Sequence, residues 1–459
     1  MAPARQAILE QKGHGMDPII EKIHGMSKEE MEQCAKHVML GGGTRGGPVL
    51  ARGKGVHVWD AEDKEYIDCT SQSWALYLGY ANDEINQVIR EHIEMMTHIH
   101  QGFDTKPRYY ITRKLAELAP GDLNRVSFSV GGGPAVESAM KVAIKHVCPS
   151  RDFICLWDSY HGTTLGSMGA SWVSTKAVGK YVGGSRMLPL TRPFIRIPNP
   201  TTYTNPFGME AEEYIDFCIT MARETMQRGI AGKPAGVIVE PIQASAGQII
   251  LPKRYLQALR DLCDEFETLL IYDEIQTFGR IGEFFAADYF GVVPDIMVVG
   301  KALGGGLPLS GIIVSDKLEG LAPDAEELHT FANPTLSMVT AAKLIDKLEN
   351  GVLENCRKMG KYLGDKLKGM MSEYPEMGEV RQAGLHIGVE FVKDPETREP
   401  VPEVGKAVRA AGFENGIIFG LGGVRKNVLK VKPPLIITQE ECDEVLNRYE
   451  ASVKAVLRK

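Results

Sequence analysis

Two short apolar runs between Thr268 and Gly306 constrain the fold more than any other part of the chain. Thr268-Leu-Leu-Ile-Tyr272 leads into Asp273 and then Glu274-Ile275-Gln276. Asp295-Ile-Met-Val-Val-Gly300 leads into Lys301 and then Ala302-Leu303-Gly304-Gly305-Gly306. Apolar runs of this length without alternation fit strands buried on both faces of a parallel sheet, and ligands of such sheets gather at the carboxyl ends of the strands. An acid and an amine therefore sit at one rim. A buried lysine there gives up its proton readily and becomes a nucleophilic amine able to form a Schiff base. A buried carboxylate beside it can hold the ring nitrogen of pyridoxal phosphate protonated and keep that ring an electron sink. A structural ion pair at a strand end is the alternative, since such pairs also perturb titration.

With 459 residues the chain is too long for one average core, so two or three domains sharing a large one are expected. Apolar residues at 44% and charged residues at 24% are ordinary for a soluble globular enzyme. The 52 basic and 59 acidic side chains give a net charge of -7 with no basic block, which argues against nucleic acid and anionic membrane as partners. The eight cysteines (Cys34, Cys69, Cys148, Cys155, Cys218, Cys263, Cys356 and Cys442) are scattered, with no C-x-x-C pair and no histidine cluster at ligand spacing. They read as reduced thiols of a cytoplasmic protein, with no metal site. No stretch approaches the roughly 20 apolar residues that span a bilayer, and the start Met1-Ala-Pro-Ala-Arg lacks an apolar signal core.

Residues 1–40 are polar and amphipathic, with Ser27-Lys-Glu-Glu30 as a capping box. The glycines at 41, 42, 43, 46 and 47 suit an irregular loop better than a phosphate site. Val56–Trp59 and Tyr66–Asp68 flank the charged turn Asp60-Ala-Glu-Asp-Lys64 and predict a hairpin. Ser71-Gln72-Ser73-Trp74 follows, where Trp74 is either core or a pocket wall.

From about residue 84 to 310 helical patterns alternate with short apolar strands, the signature of a wound α/β domain. Arg125–Val130 is a strand feeding Gly131-Gly132-Gly133-Pro134 and a helix over Ala135–His146. Glycines between a strand and a helix N-terminus let backbone N–H groups close around an anion, although a tight turn has the same composition. Asp152–Leu156 ends near Tyr160-His161-Gly162, where an aromatic can stack on a planar ring or simply pack. Val237-Ile-Val239 carries Glu240-Pro241-Ile242-Gln243. Four strand ends thus offer a glycine nest, an aromatic pair, an acid and the Asp273/Lys301 couple.

At this point a specific resemblance emerges. Ile271-Tyr-Asp273-Glu-Ile-Gln276-Thr-Phe-Gly-Arg280-Ile-Gly282, followed by Lys301 in Gly300-Lys301-Ala-Leu-Gly-Gly-Gly306, resembles the signature of class III aminotransferases, pyridoxal phosphate enzymes of the aspartate aminotransferase fold type (fold type I). Support runs along nearly the whole chain: Gly55-Val-His-Val-Trp-Asp60, Tyr66-Ile-Asp68, Tyr160-His161-Gly162, Glu240-Pro-Ile-Gln243, His329-Thr330-Phe331 with Asn333-Pro334, and Lys432-Pro433-Pro434-Leu435.

The resemblance implies a large, mostly parallel α/β domain over 84–335 and a smaller α+β domain over 336–459. The remaining 1–83 form a helical segment and hairpin that pack with the small domain and a partner subunit. It implies that Lys301 bears the Schiff base and shuttles the proton between the substrate α-carbon and the cofactor. Asp273 pairs with the pyridinium nitrogen, Tyr160 stacks on the ring, Gln276 bonds the phenolic oxygen, and Gly132 with Gly133 holds the phosphate. Thr330 reaches the phosphate of the partner subunit, so the active unit is a homodimer or a dimer of dimers. His161 and Glu240 support the cofactor from behind, and Arg280 is structural.

Ser73, Trp74 and Lys430 are the substrate-side candidates. Relatives often carry a serine or threonine and then a glutamate where this chain has Gly133 and Pro134, and proline removes a backbone donor. A second glutamate expected after Glu-Pro-Ile-Gln is replaced by Ala244-Ser245-Ala246-Gly247. The arginine expected in Asn427–Pro434 is Lys430, a point charge in place of a bidentate fork, with Arg425 near in sequence. The expected reaction moves an amino group from a primary amine or amino acid to a 2-oxo acid, pyruvate ahead of 2-oxoglutarate. A racemase or epimerase of the same fold is the alternative, and a decarboxylase a weaker one. In the C-terminal part the patterns predict a helix over Leu336–Glu349, strands over Gly384–Val392 and Asn427–Val431, and a final helix capped by Thr438-Gln-Glu-Glu441.

Overall fold

The computed structural model describes residues 16–39, 47–171, 194–322 and 326–458. Most of the glycine-rich stretch 41–47 lies outside the described residues. The chain parts into two compact units, residues 1–52 with 58–65 and residues 53–57 with 66–459. In the first, helices Pro18–His24 and Lys28–Ala35 bury none of their residues. Ser27 and Glu30 make both reciprocal bonds of the expected capping box. Strand β1 spans Leu50–Lys54, β2 His57–Asp60 and β3 Glu65–Cys69. The turn after Asp60 is set by its own carboxylate, which accepts from the N–H groups of Glu62 and Lys64 at 2.9 Å each.

The second unit holds a seven-stranded sheet made of β4 (Leu123–Ser129), β5 (Phe153–Leu156), β6 (Ile195–Ile197), β7 (Gly236–Val239), β10 (Leu269–Asp273), β11 (Ile296–Val299) and β12 (Ser310–Ser315). A short antiparallel pair, β8 (Ile242–Gln243) and β9 (Ile249–Ile250), lies between β7 and β10 in the chain. The strand order is β4-β12-β11-β10-β7-β5-β6. Only β12 runs against the others: it is antiparallel to β11 and to β4, while β10 is parallel to β11 and β7, and β5 is parallel to β7 and β6. The carboxyl ends of β4, β5, β7, β10 and β11 therefore share one rim.

The sheet explains the unbroken apolar runs. Successive side chains of a strand point to opposite faces, and here both faces are interior. Ile154, Val237, Val239, Leu270, Tyr272, Met297 and Val299 enter one core. Phe153, Cys155, Ile238, Ile271, Ile296 and Val298 enter another. Each such side chain contributes about 1.5–3 kcal/mol by leaving water, so no position along these strands tolerates a polar residue until the rim is reached.

A second sheet contains β13 (Met377–Ala383), β14 (His386–Phe391), β15 (Ile417–Gly422) and β16 (Val428–Val431), with β15 also pairing in parallel with β3 through Ile67, Asp68 and Cys69. The final helix, Gln439–Leu457, starts on the expected Thr438/Glu441 capping box. Helix Thr335–Lys347 falls where Leu336–Glu349 was expected, and is followed by Leu353–Met370.

Candidate active site

Each strand of the rim delivers one chemical group. Asp273 is the last residue of β10 and is buried. Its Oδ2 lies 2.8 Å from Nδ1 of buried His161, and its Oδ1 accepts from the Ile275 N–H at 3.1 Å. Burial alone would lower the His161 pKa; the bond and charge of Asp273, with the charge of Glu240, outweigh it and raise it. Glu240, just past β7, accepts from the N–H groups of Tyr160 at 2.8 Å and Ala244 at 3.3 Å. Its carboxyl is pushed up to about 7, mainly by burial, with His161 opposing and Asp273 assisting.

Lys301 follows β11 in a left-handed conformation, φ 48°, a region that costs a non-glycine residue and clusters at functional sites. Burial holds its ammonium below the usual lysine range, against the charges of Asp273 and Glu240. The glycines after β4 open the helix Gly132–His146, three residues earlier than its pattern suggests, because Gly132, Gly133 and Pro134 all adopt its first turn. That helix has no side-chain cap, so its first N–H groups and dipole favour an anion.

These groups enclose a cavity of about 300 Å³, walled by Gly132, Gly133, Tyr160, His161, Glu240, Asp273, Gln276 and Lys301. All eight were singled out from the sequence. Pro134, Gly162, Thr163, Thr164 and Ile275 complete the wall. Gly162–Thr164 directly follow the aromatic pair at the end of β5, a run of small polar residues that could have been read as part of the site. Thr164 matters for the phosphate turn: a Cβ on Gly133 would stand 3.0 Å from its Cγ2 and Oγ1 and 3.2 Å from the Ser167 Oγ. The space that a hydroxyl side chain would take at position 133 is thus already filled from the loop after β5.

The other candidates lie elsewhere. Ser73 is exposed and Thr330 is exposed, and neither lines the cavity. Trp74 and Lys430 also lie outside the cavity wall, but the Trp74 ring centroid is 5.8 Å from Lys301 Nζ and 4.9 Å from Lys430 Nζ. Arg425 is exposed. Arg280 is fully buried and structural: it donates to the Pro433 carbonyl and, at 3.0 Å, to Ser71 Oγ, and it covers the Tyr77 ring at 4.5 Å. Among the described residues no helix is long and apolar enough to cross a membrane.

The residues fit pyridoxal 5'-phosphate on their own chemistry. An anion seat, an acid at a strand end and a depressed amine face one cavity, and His161 Nε2 and Gln276 Oε1 are buried without a hydrogen-bond partner among the described residues. Fold and site together define a pyridoxal-phosphate-dependent enzyme of fold type I. The Aminotransferase class-III family profile matches residues 45–453, and the chain belongs to that family. It is 32% identical over 415 residues to a leucine/methionine racemase of Thermococcus litoralis, covering 89% of this chain and 91% of the relative. To a probable 4-aminobutyrate aminotransferase of Bacillus subtilis it is 31% identical over 414 residues, 89% and 93% covered. The crystal structure of an (S)-enantioselective omega-transaminase from Thermomicrobium roseum superposes with a TM-score of 0.80 at 27% identity, covering 100% of this chain and 99% of that one.

Proposed function

We propose that the protein transfers an amino group from a primary amine or amino acid to a 2-oxo acid, with pyruvate preferred over 2-oxoglutarate. The observation that carries this reading is the convergence of Asp273, Lys301 and the Gly132–Gly133 turn on one cavity at the rim of the sheet. When bound, pyridoxal phosphate supplies an electrophilic carbonyl and an electron sink. Asp273 would hold the proton on its ring nitrogen, and His161, whose Nδ1 lies 2.8 Å from Asp273 Oδ2, fixes that carboxylate in place. Gly132 and Gly133 would present N–H groups to the phosphate, Tyr160 would cover the ring and Gln276 would donate to the phenolic oxygen, while Glu240 braces the Tyr160 backbone. Lys301 Nζ would anchor the cofactor covalently and, as a free amine, would take up the proton of the substrate α-carbon and hand it on.

Three features support a small oxo acid. Ala244 and Ser245 bring no second carboxylate beside Glu240, Lys430 replaces a carboxylate-gripping fork, and Trp74 narrows the approach to Lys301. The same reading takes residues 84–335 as the cofactor domain, since β4–β12 all fall there, and 336–459 as the small domain with β13–β16. It places the enzyme in the cytoplasm, in keeping with eight free cysteines, and takes a homodimer as the active unit.

The relative named as a racemase motivates a second reading, isomerisation of an amino acid through the same Lys301 and Asp273. Two measurements decide. Borohydride reduction of loaded protein, followed by peptide mapping, should place the cofactor on Lys301; an unlabelled Lys301 ends both readings. Mixing loaded enzyme with amines in the absence of any oxo acid should then bleach the aldehyde absorbance. Exchange of the α-hydrogen in deuterium oxide with the absorbance retained would select isomerisation instead.

A further inference from the structure

Lys430 and Lys432 stand two residues apart at the end of β16, so both project from the same face of the strand while Val431 turns into the core. Both are buried, Lys430 at 5% exposure and Lys432 at 0%. Both ammonium groups lie against one indole: the Trp74 centroid is 4.9 Å from Lys430 Nζ and 4.4 Å from Lys432 Nζ. The Lys430 stem lies flat along β15, where Gly420 and Gly422 leave it room that any Cβ would fill. Lys432 Nζ is 3.0 Å from His386 Nε2. Neither lysine forms an ion pair among the described residues.

Buried charges are ordinarily paired, and a cation–π contact recovers only part of what an ammonium loses on leaving water. Glu240 acts on both lysines only at longer range, with its oxygens engaged by Tyr160 and Ala244. Burial pushes both ammonium groups down, Lys430 to about 7 with the charges of Lys426 and Lys301 assisting, and Lys432 with those of Lys430, Arg280 and Lys301 assisting. An anion between them would remove that penalty.

A second observation marks the same place. Ser71, Gln72, Ser73 and Trp74 are four consecutive non-glycine residues at positive φ, 44°, 48°, 61° and 69°. Such strain persists only where the surroundings enforce it, and it gathers at ligand clamps. The turn is tied to the lysine strand itself: Ser71 Oγ donates to the Lys432 carbonyl at 2.7 Å. It holds Trp74 with its Nε1 buried and without a hydrogen-bond partner among the described residues. Two ammonium groups against the indole and one unpartnered indole N–H supply three donors around a single side chain. They match the three oxygens of a tetrahedral oxoanion better than a planar carboxylate, which favours a single guanidinium fork.

We propose that Lys430, Lys432 and the Trp74 indole form a subsite for a tetrahedral oxoanion of the substrate, a phosphonate, sulfonate or phosphate ester carried on the same short chain as the reacting amine. The inference rests on the transaminase reading for the amine end alone.

The test uses pyridoxal-phosphate-loaded protein. Ethylphosphonate, ethanesulfonate and propionate, none of which can react, are titrated against tryptophan fluorescence. Ethylphosphonate or ethanesulfonate should bind at least 10-fold more tightly than propionate, and the stronger of the two identifies the acid. K432M should reduce that ratio below 3-fold while the cofactor absorbance is retained, K432R should restore part of it, and W74F should abolish the fluorescence change. Equal binding of propionate, or an unchanged ratio in K432M, overturns the subsite. With 2-aminoethylphosphonate, taurine and β-alanine as donors, one of the first two should exceed β-alanine at least 10-fold in kcat/KM. Tight ethylphosphonate binding with no donor able to bleach the cofactor would uphold the subsite and overturn transamination.

Discussion

Asp273 raises the pKa of His161 through a hydrogen bond and its charge, and that makes the contact measurable. Replacing Asp273 with asparagine removes the bond and charge that raise the His161 pKa and leaves only burial and the more distant Glu240. The imidazole of D273N should therefore titrate below the usual histidine value of about 6.5, which NMR of the ring resonances would show. Turnover should fall by about 100-fold or more, as for loss of one fixed electrostatic partner. Glu274, next in sequence, is buried away from the cavity and accepts from the N–H groups of Ala286 at 2.8 Å and Ala287 at 2.9 Å. Burial pushes it up to about 7. A folded-state value above the unfolded one of about 4.3 means that its stabilising protonation is complete below that pH and lost as pH rises through 7, a change of roughly 3–4 kcal/mol. Urea midpoints at pH 5 and pH 8 should thus show E274Q gaining on the native protein at the higher pH.

At this scale the rim residues were legible because each polar side chain interrupts an apolar run whose burial forbids it. Trp74 was not: nothing in Ser71-Gln-Ser-Trp74 announces four left-handed residues, since no glycine is present. Lys432 was passed over as part of a proline motif, although its spacing of two from Lys430 is the strand period.

Among the elements, strands β5, β7, β10 and β11 were legible and β13 and β15 were not. The four carry continuous apolar residues. In β15 glycine occupies two of six positions to admit the Lys430 stem, and glycine weakens a strand signal. Helix Leu353–Met370 was obscured in the same way by Gly360, Gly364 and Gly369. Two of these are packing requirements. A Cβ on Gly360 would collide with the backbone carbonyl of Gly384, and one on Gly364 would come within 2.8 Å of the Gln382 side chain, whereas Gly369 has nothing within 4 Å. Hence G369A should raise stability by about 0.5–1 kcal/mol through helix propensity. G360A, offered the same propensity gain, should lower it by about 1–3 kcal/mol through overpacking. Thermal melts of the two variants would separate the effects.

For the whole molecule, the loop bearing Thr330 supports the proposed pairing of chains. Gln101–Thr105 is tied to His329–Asn333 by bonds from the His329 N–H to Gln101 Oε1 at 2.8 Å and from Asn333 Nδ2 to the Phe103 carbonyl at 2.8 Å. Phe103 is 66% exposed and Phe331 62%, so the two joined segments present rings that the proposed partner chain would cover. Sedimentation equilibrium should give twice the 50.4 kDa chain mass or a multiple of it, and T330A should weaken cofactor retention while leaving the assembly intact. A fold this size was legible from its αβ alternation; a residue such as Thr330, whose proposed target belongs to another copy, has no local signal at all.

The edge position of β4 carries a further meaning for how the protein is made. In the sheet order β4 has β12 as its neighbour, and Ser129 is joined to Ser310 across 181 residues of chain. At a translation rate of about 5–20 residues per second, the strand that leads into the phosphate turn waits roughly 10–40 seconds on the ribosome before its pairing partner is synthesised. A nascent chain whose exposed part ends before Ser310 should therefore fail to capture cofactor, even though β5, β7, β10 and β11 have already emerged.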